Sequence, residues 1–301
     1  MQETKLIEFP KDIAMIDPHC HLWDLATGYY GWLSNQQSDL LGDLSQINKN
    51  HLLEDYLEEA KPCKIEGLVH IEAASTRYAK EEVSWLKKLI KISTKPIVMV
   101  AGADLMVAKV EALLDYYQSE SFVKGIRQIL NWHAIKKYSA CDQDYLQNDI
   151  WQKQYALLEK YELSFDMQVN PMQLMAAARL ARKYQKISII INHAGMPIDN
   201  EFEIWQKGIA ALALLPTVTI KISGFGMLNH HWHINSIKDF VLTIIEHFGT
   251  KRVMFASNFP VDKLYSSYFN LMSSYYTLVK DFSSAEIEQL FAKNAKRIYQ
   301  L

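Results

Sequence analysis

Cysteine is scarce in this chain. Its 301 residues include three, Cys20, Cys63 and Cys141, and no two form a CxxC pair, which argues against a disulfide framework and a structural zinc knuckle. No apolar run approaches the roughly 20 residues of a membrane span, so no membrane association is expected. Neither sign of charge dominates. The 32 Lys and Arg residues against 34 Asp and Glu leave a formal net charge of -2, which implies no polyanion-binding face and no nucleic-acid partner. Residues 1–13 are mixed and charged, without the apolar segment of a secretory signal, and a reducing, cytoplasmic setting is the expectation. Low-complexity segments and repeats beyond the alternation described next are also missing.

What is present is apolar residues, 49% of the chain, enough for a sizeable core. Short β-branched runs ending in polar residues occur at 14–21, 66–72, 96–101, 123–129, 163–169, 187–193, 218–223 and 252–257. Amphipathic stretches at 51–61, 79–92, 107–118, 149–161, 172–184, 201–214, 237–248 and 267–280 follow them in turn. Eight strands alternating with eight helices predict an α/β fold of parallel βαβ units, a (β/α)8 TIM barrel forming one domain over residues 1–301. An open doubly wound sheet would carry the same alternation. An extra C-terminal helix is predicted over 285–300, opened by a capping box at Ser283 and Glu286. Ile287, Leu290, Phe291 and Ile298 should turn toward the barrel. Two long connections, 22–50 and 131–148, follow strands and would rise over the catalytic face. The first carries Trp23, Tyr29, Tyr30 and Trp32, the mark of a folded lid, and Trp23 is a candidate substrate contact.

The strongest local signal is Asp17-Pro18-His19-Cys20-His21 at the end of the first strand. Residues i and i+2 share a face, so His19 and His21 should both enter the barrel mouth, where two imidazoles suffice to bind one divalent cation. Two core histidines would leave the same trace. His193, closing the apolar run 187–191, reads as a structural histidine by itself and as a ligand or electrophile if it converges on the other two. Polar residues end most other strands. His70 shares a face with Glu72, Asp166 with Gln168 and Lys221 with Ser223, while Arg127 and Asn258 close the fourth and eighth strands. So many buried polar groups need partners, which a site supplies. The remaining features read as structural. His230-His231-Trp232-His233 suits a lid loop, and His51, His133 and His247 suit the surface. Met172 and Met175 suit the core, and 268–276 an aromatic face packed on the sheet or on a second copy, which makes a homo-oligomer one expected state.

The segments DPHCHLWD, VHIEA, VKGIRQIL, LSFDMQV, NHAGMP, KISGFG, RVMFASNFPVD and LFAKNAKRIYQ occur in this order between Asp17 and Tyr299. Together they resemble the lactonase-like branch of the amidohydrolase superfamily, which includes 2-pyrone-4,6-dicarboxylate lactonase and the L-fucono- and L-rhamnono-lactonases. The resemblance implies a distorted TIM barrel and a hydrolase that opens a small polar cyclic ester, a sugar lactone or similar. The family's HxH falls on His19 and His21, its sixth-strand histidine on His193 and its fourth-strand arginine on Arg127. Its eighth-strand aspartate, the usual base that activates water, falls on Asn258. An amide cannot take a proton near neutral pH, so Asn258 positions water and Asp166 or Glu72 becomes the replacement base. Asp262, beyond Pro260, is a weaker candidate. Asp166 stands near the point where relatives hold a second metal, and some lactonases of the branch work without any. The expectation is therefore one divalent metal on His19, His21 and His193, zinc first among them, or none. Arg127 and Lys221 are candidates to bind a carboxylate or the developing oxyanion, with His70 beside them, and an ion pair to Asp166 or Glu72 is the alternative for Arg127. A decarboxylase of the same superfamily and a ligand-binding pseudoenzyme are the competing functions.

Overall fold

The computed structural model describes residues 4–198 and 200–301. Met1–Glu3, the start of the segment read as lacking a secretory signal, and Asp199 lie outside the described residues. Eight strands form the sheet: β1 (Ala14–Cys20), β2 (Lys64–Ile71), β3 (Ile97–Gly102), β4 (Val123–Ile129), β5 (Ser164–Gln168), β6 (Ile189–Ile191), β7 (Val218–Ile222) and β8 (Val253–Phe255). They pair in chain order, each parallel to the next. With helices between them, this is a nearly closed (β/α)8 barrel rather than an open sheet. No helix of the described residues is long and apolar enough to cross a membrane.

The helices sit where the apolar periodicity put them, most with shorter ends, although the one read from 237 begins three residues earlier, at Ile234–Phe248. Residues 149–161 divide into Asp149–Tyr155 and Leu158–Tyr161. The first begins where the Asn148 side chain accepts from the Ile150 and Trp151 amides at 2.9 and 3.0 Å, satisfying donors that a helix start leaves unpaired. The Ser283–Glu286 capping box forms. The helix it opens is continuous only through a π turn, Gln289–Lys293, between Ser284–Glu288 and Asn294–Tyr299. Its Ala292, Ala295 and Tyr299 join Ile16, Val69, Val98, Ile190 and Met254 inside the barrel. Asn294 donates to the Val253 carbonyl at 2.7 Å, so this helix plugs the end where β8 begins.

At the opposite end the first long connection is folded as expected. Trp23, Tyr30, Leu33, Leu44 and Ile47 form their own apolar cluster with Ala73 and Ala74, and a two-strand hairpin, Gln37–Ser38 with Gly42–Asp43, projects from it. Met172 and Met175 are not core. Both are 41% exposed, because Leu174, Ala177 and Ala178 occupy the inward face of that helix.

The parallel ladders run from β1 to β8, and the ring closes between β8 and β1 through a bridge of Cys20 with Phe259. The fully buried Asp17 carboxylate reinforces that seam. It accepts from the Ser257 amide at 3.0 Å, the Ser257 hydroxyl at 2.5 Å, the His19 amide at 3.1 Å, Tyr56 at 2.9 Å and Tyr268 at 3.3 Å. Burial raises its pKa, and these hydrogen bonds oppose the rise. Asp17→Ala is expected to cost about 3–4 kcal/mol in urea unfolding, since several buried donors lose their acceptor together. A cost below about 1 kcal/mol would show that the seam closes without it.

Candidate active site

Beyond Cys20 the chain leaves β1 hydrogen-bonded to the β8 exit. Asn258 N–H donates to the His19 carbonyl and His21 N–H to the Phe259 carbonyl, both at 2.7 Å. That places His21 Nε2 3.4 Å from Asn258 Oδ1, while His21 Nδ1 donates to the Ile71 carbonyl at 2.9 Å. The His19 ring lies 5.1 Å from that of His21 and 4.5 Å from that of His193. His193 reaches this point through a left-handed turn, with φ of 51°, 55°, 72° and 52° at His193, Ala194, Gly195 and Met196. Three of these residues carry side chains, so the turn holds backbone strain at the site itself. Its Nδ1 lies 3.0 Å from Ser223 Oγ. A Cβ at Gly224 would stand 2.7 Å from that nitrogen, which is why a glycine follows Ser223.

Arg127, at the end of β4, donates from Nε to Glu72 Oε1 at 2.7 Å and from Nη2 to the Glu72 carbonyl at 3.0 Å. Its Nη1 lies 3.5 Å from His19 Nε2. The ion pair left open for Arg127 is therefore present, with Glu72 as partner. Burial lowers the pKa of all three histidines, and the charges of Arg127 and neighbouring cations lower them further, so the imidazoles are neutral. Burial also pushes Glu72 up to about 7 against the pull of Arg127. Above these groups opens a cavity of about 950 Å³ whose lining includes His21, Glu72, Arg127, Gln168, His193 and Asn258.

The zinc that the resemblance implies needs three lone pairs converging about 2.0–2.1 Å from one point. His19 Nε2 instead faces the Arg127 guanidinium, and His19 Nδ1 has no hydrogen-bond partner to hold the ring as a ligand. Among the described residues, no group of three or more His, Cys, Asp and Glu side chains is arranged to hold a metal ion. The residues as placed do not fit that metal.

Four expected site residues lie elsewhere. Lys221 and Asp166 form a fully buried ion pair inside the barrel. Asp166 also accepts from Tyr299 OH at 3.1 Å and from Asn192 Nδ2 at 3.1 Å, which occupies its oxygens. The Lys221 ammonium stands 5.0 Å over the Tyr299 ring, and burial lowers its pKa despite Asp166. His70 turns away from the mouth. Its Nδ1 accepts from the Leu22 amide at 3.1 Å and its Nε2 lies 3.4 Å from Glu82 Oε1. The shared face of His70 and Glu72 fails because β2 ends at Ile71. Trp23 is sealed in the lid cluster with its Nε1 donating to the Lys49 carbonyl at 2.7 Å, and Trp32 lines the cavity in its place. His51, expected at the surface, is buried against the His21 carbonyl at 2.8 Å. His230 stacks on Tyr265 and hydrogen-bonds the Leu40 carbonyl at 2.9 Å, pinning the hairpin as a lid segment should.

Asp262 matters more than its position past the strand suggested. It is 1% exposed, accepts from the Gly224 amide at 2.9 Å and has an unpartnered Oδ1. Burial pushes it up to about 7, opposed by that amide and by Asn258. Its spacing of four from Asn258 was the available signal, because a short helical turn, Val261–Leu264, folds it back.

A family model described as Amidohydrolase matches residues 16–301. Among curated proteins, uncharacterized protein y4mH of Sinorhizobium fredii is 38% identical over 296 residues, 96% of this chain and 99% of its own. The L-fucono-1,5-lactonase of Burkholderia ambifaria is 23% identical over 83% of this chain and 81% of its own. Among solved structures, an amidohydrolase from Burkholderia multivorans with bound zinc superposes with a TM-score of 0.80 over 96% of this chain and 99% of that one, at 20% identity. That likeness concerns the fold.

The Lys221–Asp166 pair yields a test of its role. Asp166→Asn strands a buried ammonium, and the expected loss is about 3–5 kcal/mol of stability, against about 1 kcal/mol for Tyr299→Phe. Denaturant titration of both variants decides; an Asp166→Asn protein as stable as the parent but inactive would make Asp166 the base after all.

Proposed function

The chain belongs to the amidohydrolase family, a family of hydrolases, and from that premise we propose that it opens a small polar cyclic ester by attack of water on the ring carbonyl. One observation carries the reading: a carboxylate with a pKa of about 7, Glu72, lines the cavity beside a guanidinium and neutral imidazoles. A general base works best with a pKa near the operating pH. Glu72 takes a proton from the water as the new C–O bond forms. It then hands that proton to the ring oxygen as the old C–O bond breaks, leaving a hydroxy acid. The amide of Asn258 holds the water. Arg127 and His193 meet the charge that grows on the carbonyl oxygen, as preorganised donors in a dry site do.

A base must be ionised to act, so kcat/KM should rise with pH through a limb near 7. Glu72→Gln should lower kcat by at least about 10²-fold and remove that limb. A limb that survives in Glu72→Gln and vanishes in Asp262→Asn would transfer the role to Asp262.

Dialysis against a strong chelator should leave lactone turnover unchanged. A loss of more than about tenfold, reversed by added zinc, would instead give the metal the work assigned to Arg127 and His193.

A further inference from the structure

Asn131 and Gln168 line one wall of the cavity, and Asn170 stands behind them in a ladder of side-chain amides whose orientation the chain itself settles. Asn170 Nδ2 lies 3.2 Å from the Trp132 carbonyl and 2.9 Å from the Tyr138 carbonyl. Carbonyl oxygens only accept, so this atom is the amide nitrogen and Asn170 Oδ1 points the other way. That oxygen lies 2.7 Å from Asn131 Nδ2, which must donate, and Asn131 Oδ1 therefore accepts from Gln168 Nε2 at 2.9 Å. The ladder runs in one direction, from β5 into the second long connection. Asn131 and Asn170 are buried, so a reversed amide anywhere in it would set two donors or two acceptors against each other.

Gln168 is the head of the ladder. Its nitrogen is committed to Asn131, it lines the cavity, and among the described residues its Oε1 accepts no hydrogen bond, which leaves that oxygen as the acceptor the residue can offer a ligand. Of the buried cations nearby, Lys221 is matched by Asp166, and Arg127 holds Glu72 through Nε and Nη2, which leaves only its Nη1 for the reacting carbonyl oxygen. Lys136 and Lys137 sit exposed at the cavity mouth, where water screens them.

We infer that Gln168 is a specificity-determining residue that accepts a hydrogen bond from a substrate hydroxyl, so that the site takes a neutral, hydroxyl-bearing lactone and rejects one carrying a carboxylate at that position. The inference rests on the lactone-opening reading for its substrate and on the amide ladder for its polarity. A substrate carboxylate there would face an acceptor fixed by three linked amides, whereas a hydroxyl completes the set.

The test compares the parent enzyme with Gln168→Met on hexono-1,5-lactones, on analogues each lacking one ring hydroxyl, and on a ring-carboxylated lactone. One deoxy analogue should lose about 10–100-fold in kcat/KM with the parent. Gln168→Met should lose about as much on the full lactone and nothing further on that analogue. The carboxylated lactone should be poor with the parent. Equal losses across all analogues, or a preference of the parent for the carboxylated lactone, would overturn the inference. Gln168→Glu is the second variant, in case the methionine disturbs folding. With its inner oxygen protonated it goes on donating to Asn131 Oδ1 and keeps an acceptor toward the cavity, so it should disfavour the carboxylated lactone at least as much as the parent does; a gain on that lactone counts against the inference. Thermal-shift titration with 1,5-anhydroalditols, which offer the hydroxyls but cannot be hydrolysed, separates the two claims. Weaker binding to Gln168→Met without turnover of any lactone by the parent would sink the hydrolytic reading and leave hydroxyl recognition standing. No binding to the parent would sink the recognition.

Discussion

The site depends on how the barrel closes. Seven of the eight junctions between neighbouring strands are parallel ladders, but β8 and β1 meet through a short bridge and the Asp17 carboxylate. Asp17 draws Ser257 of the β8 exit onto β1. The same exit then hydrogen-bonds the His19 carbonyl and the His21 amide. Asn258 and the HxH pair are thus set against each other by the contacts that shut the ring. Tyr56 and Tyr268, from helices on the outer layer, reach in to the same carboxylate, so outer layer, seam and mouth are mechanically one unit.

Burial then decides what each group can do. Away from water, histidines lose their protons and carboxylates keep theirs longer, which is why His19, His21 and His193 are neutral while Glu72 and Asp262 rise to about 7. A cation in the same space deepens the first effect and checks the second. Arg127 plays both parts, touching Glu72 and approaching His19. The strained turn at His193–Met196 and the bare Cα of Gly224 are the local cost of bringing the third imidazole to this cluster.

Reading the strands by their period of two worked while the strand lasted and failed one residue later. Asp17 and His19 lie within β1 and His21 just past it, where hydrogen bonds from the β8 exit keep it on course. Beyond Ile71 the Glu72 amide still reaches the Val100 carbonyl, but β2 has ended and the side chains part company, Glu72 meeting Arg127 while His70 accepts from the Leu22 amide. Trp23 followed the apolar pull of the lid rather than the mouth. Lys221 was legible as a buried polar group in need of a partner, yet its partner, Asp166, sits on a strand more than fifty residues away. Asp262 was the weaker candidate because it stands past the strand and beyond Pro260, whereas the turn Val261–Leu264 folds it back under Asn258.

Local chemistry determined the alternation of strand and helix, the capping box at Ser283, the family motifs and the short set of polar residues at the strand ends. These depend on neighbours within a few positions, and side-chain periodicity records them directly. The tertiary structure alone decided which of those polar groups face the cavity and which satisfy one another inside the barrel. It also chose Glu72 as the mate of Arg127 and pointed the amides of Asn170, Asn131 and Gln168 in one direction. Such pairings follow from distances across the barrel, and a buried polar group's need for a partner says nothing about which residue will meet it.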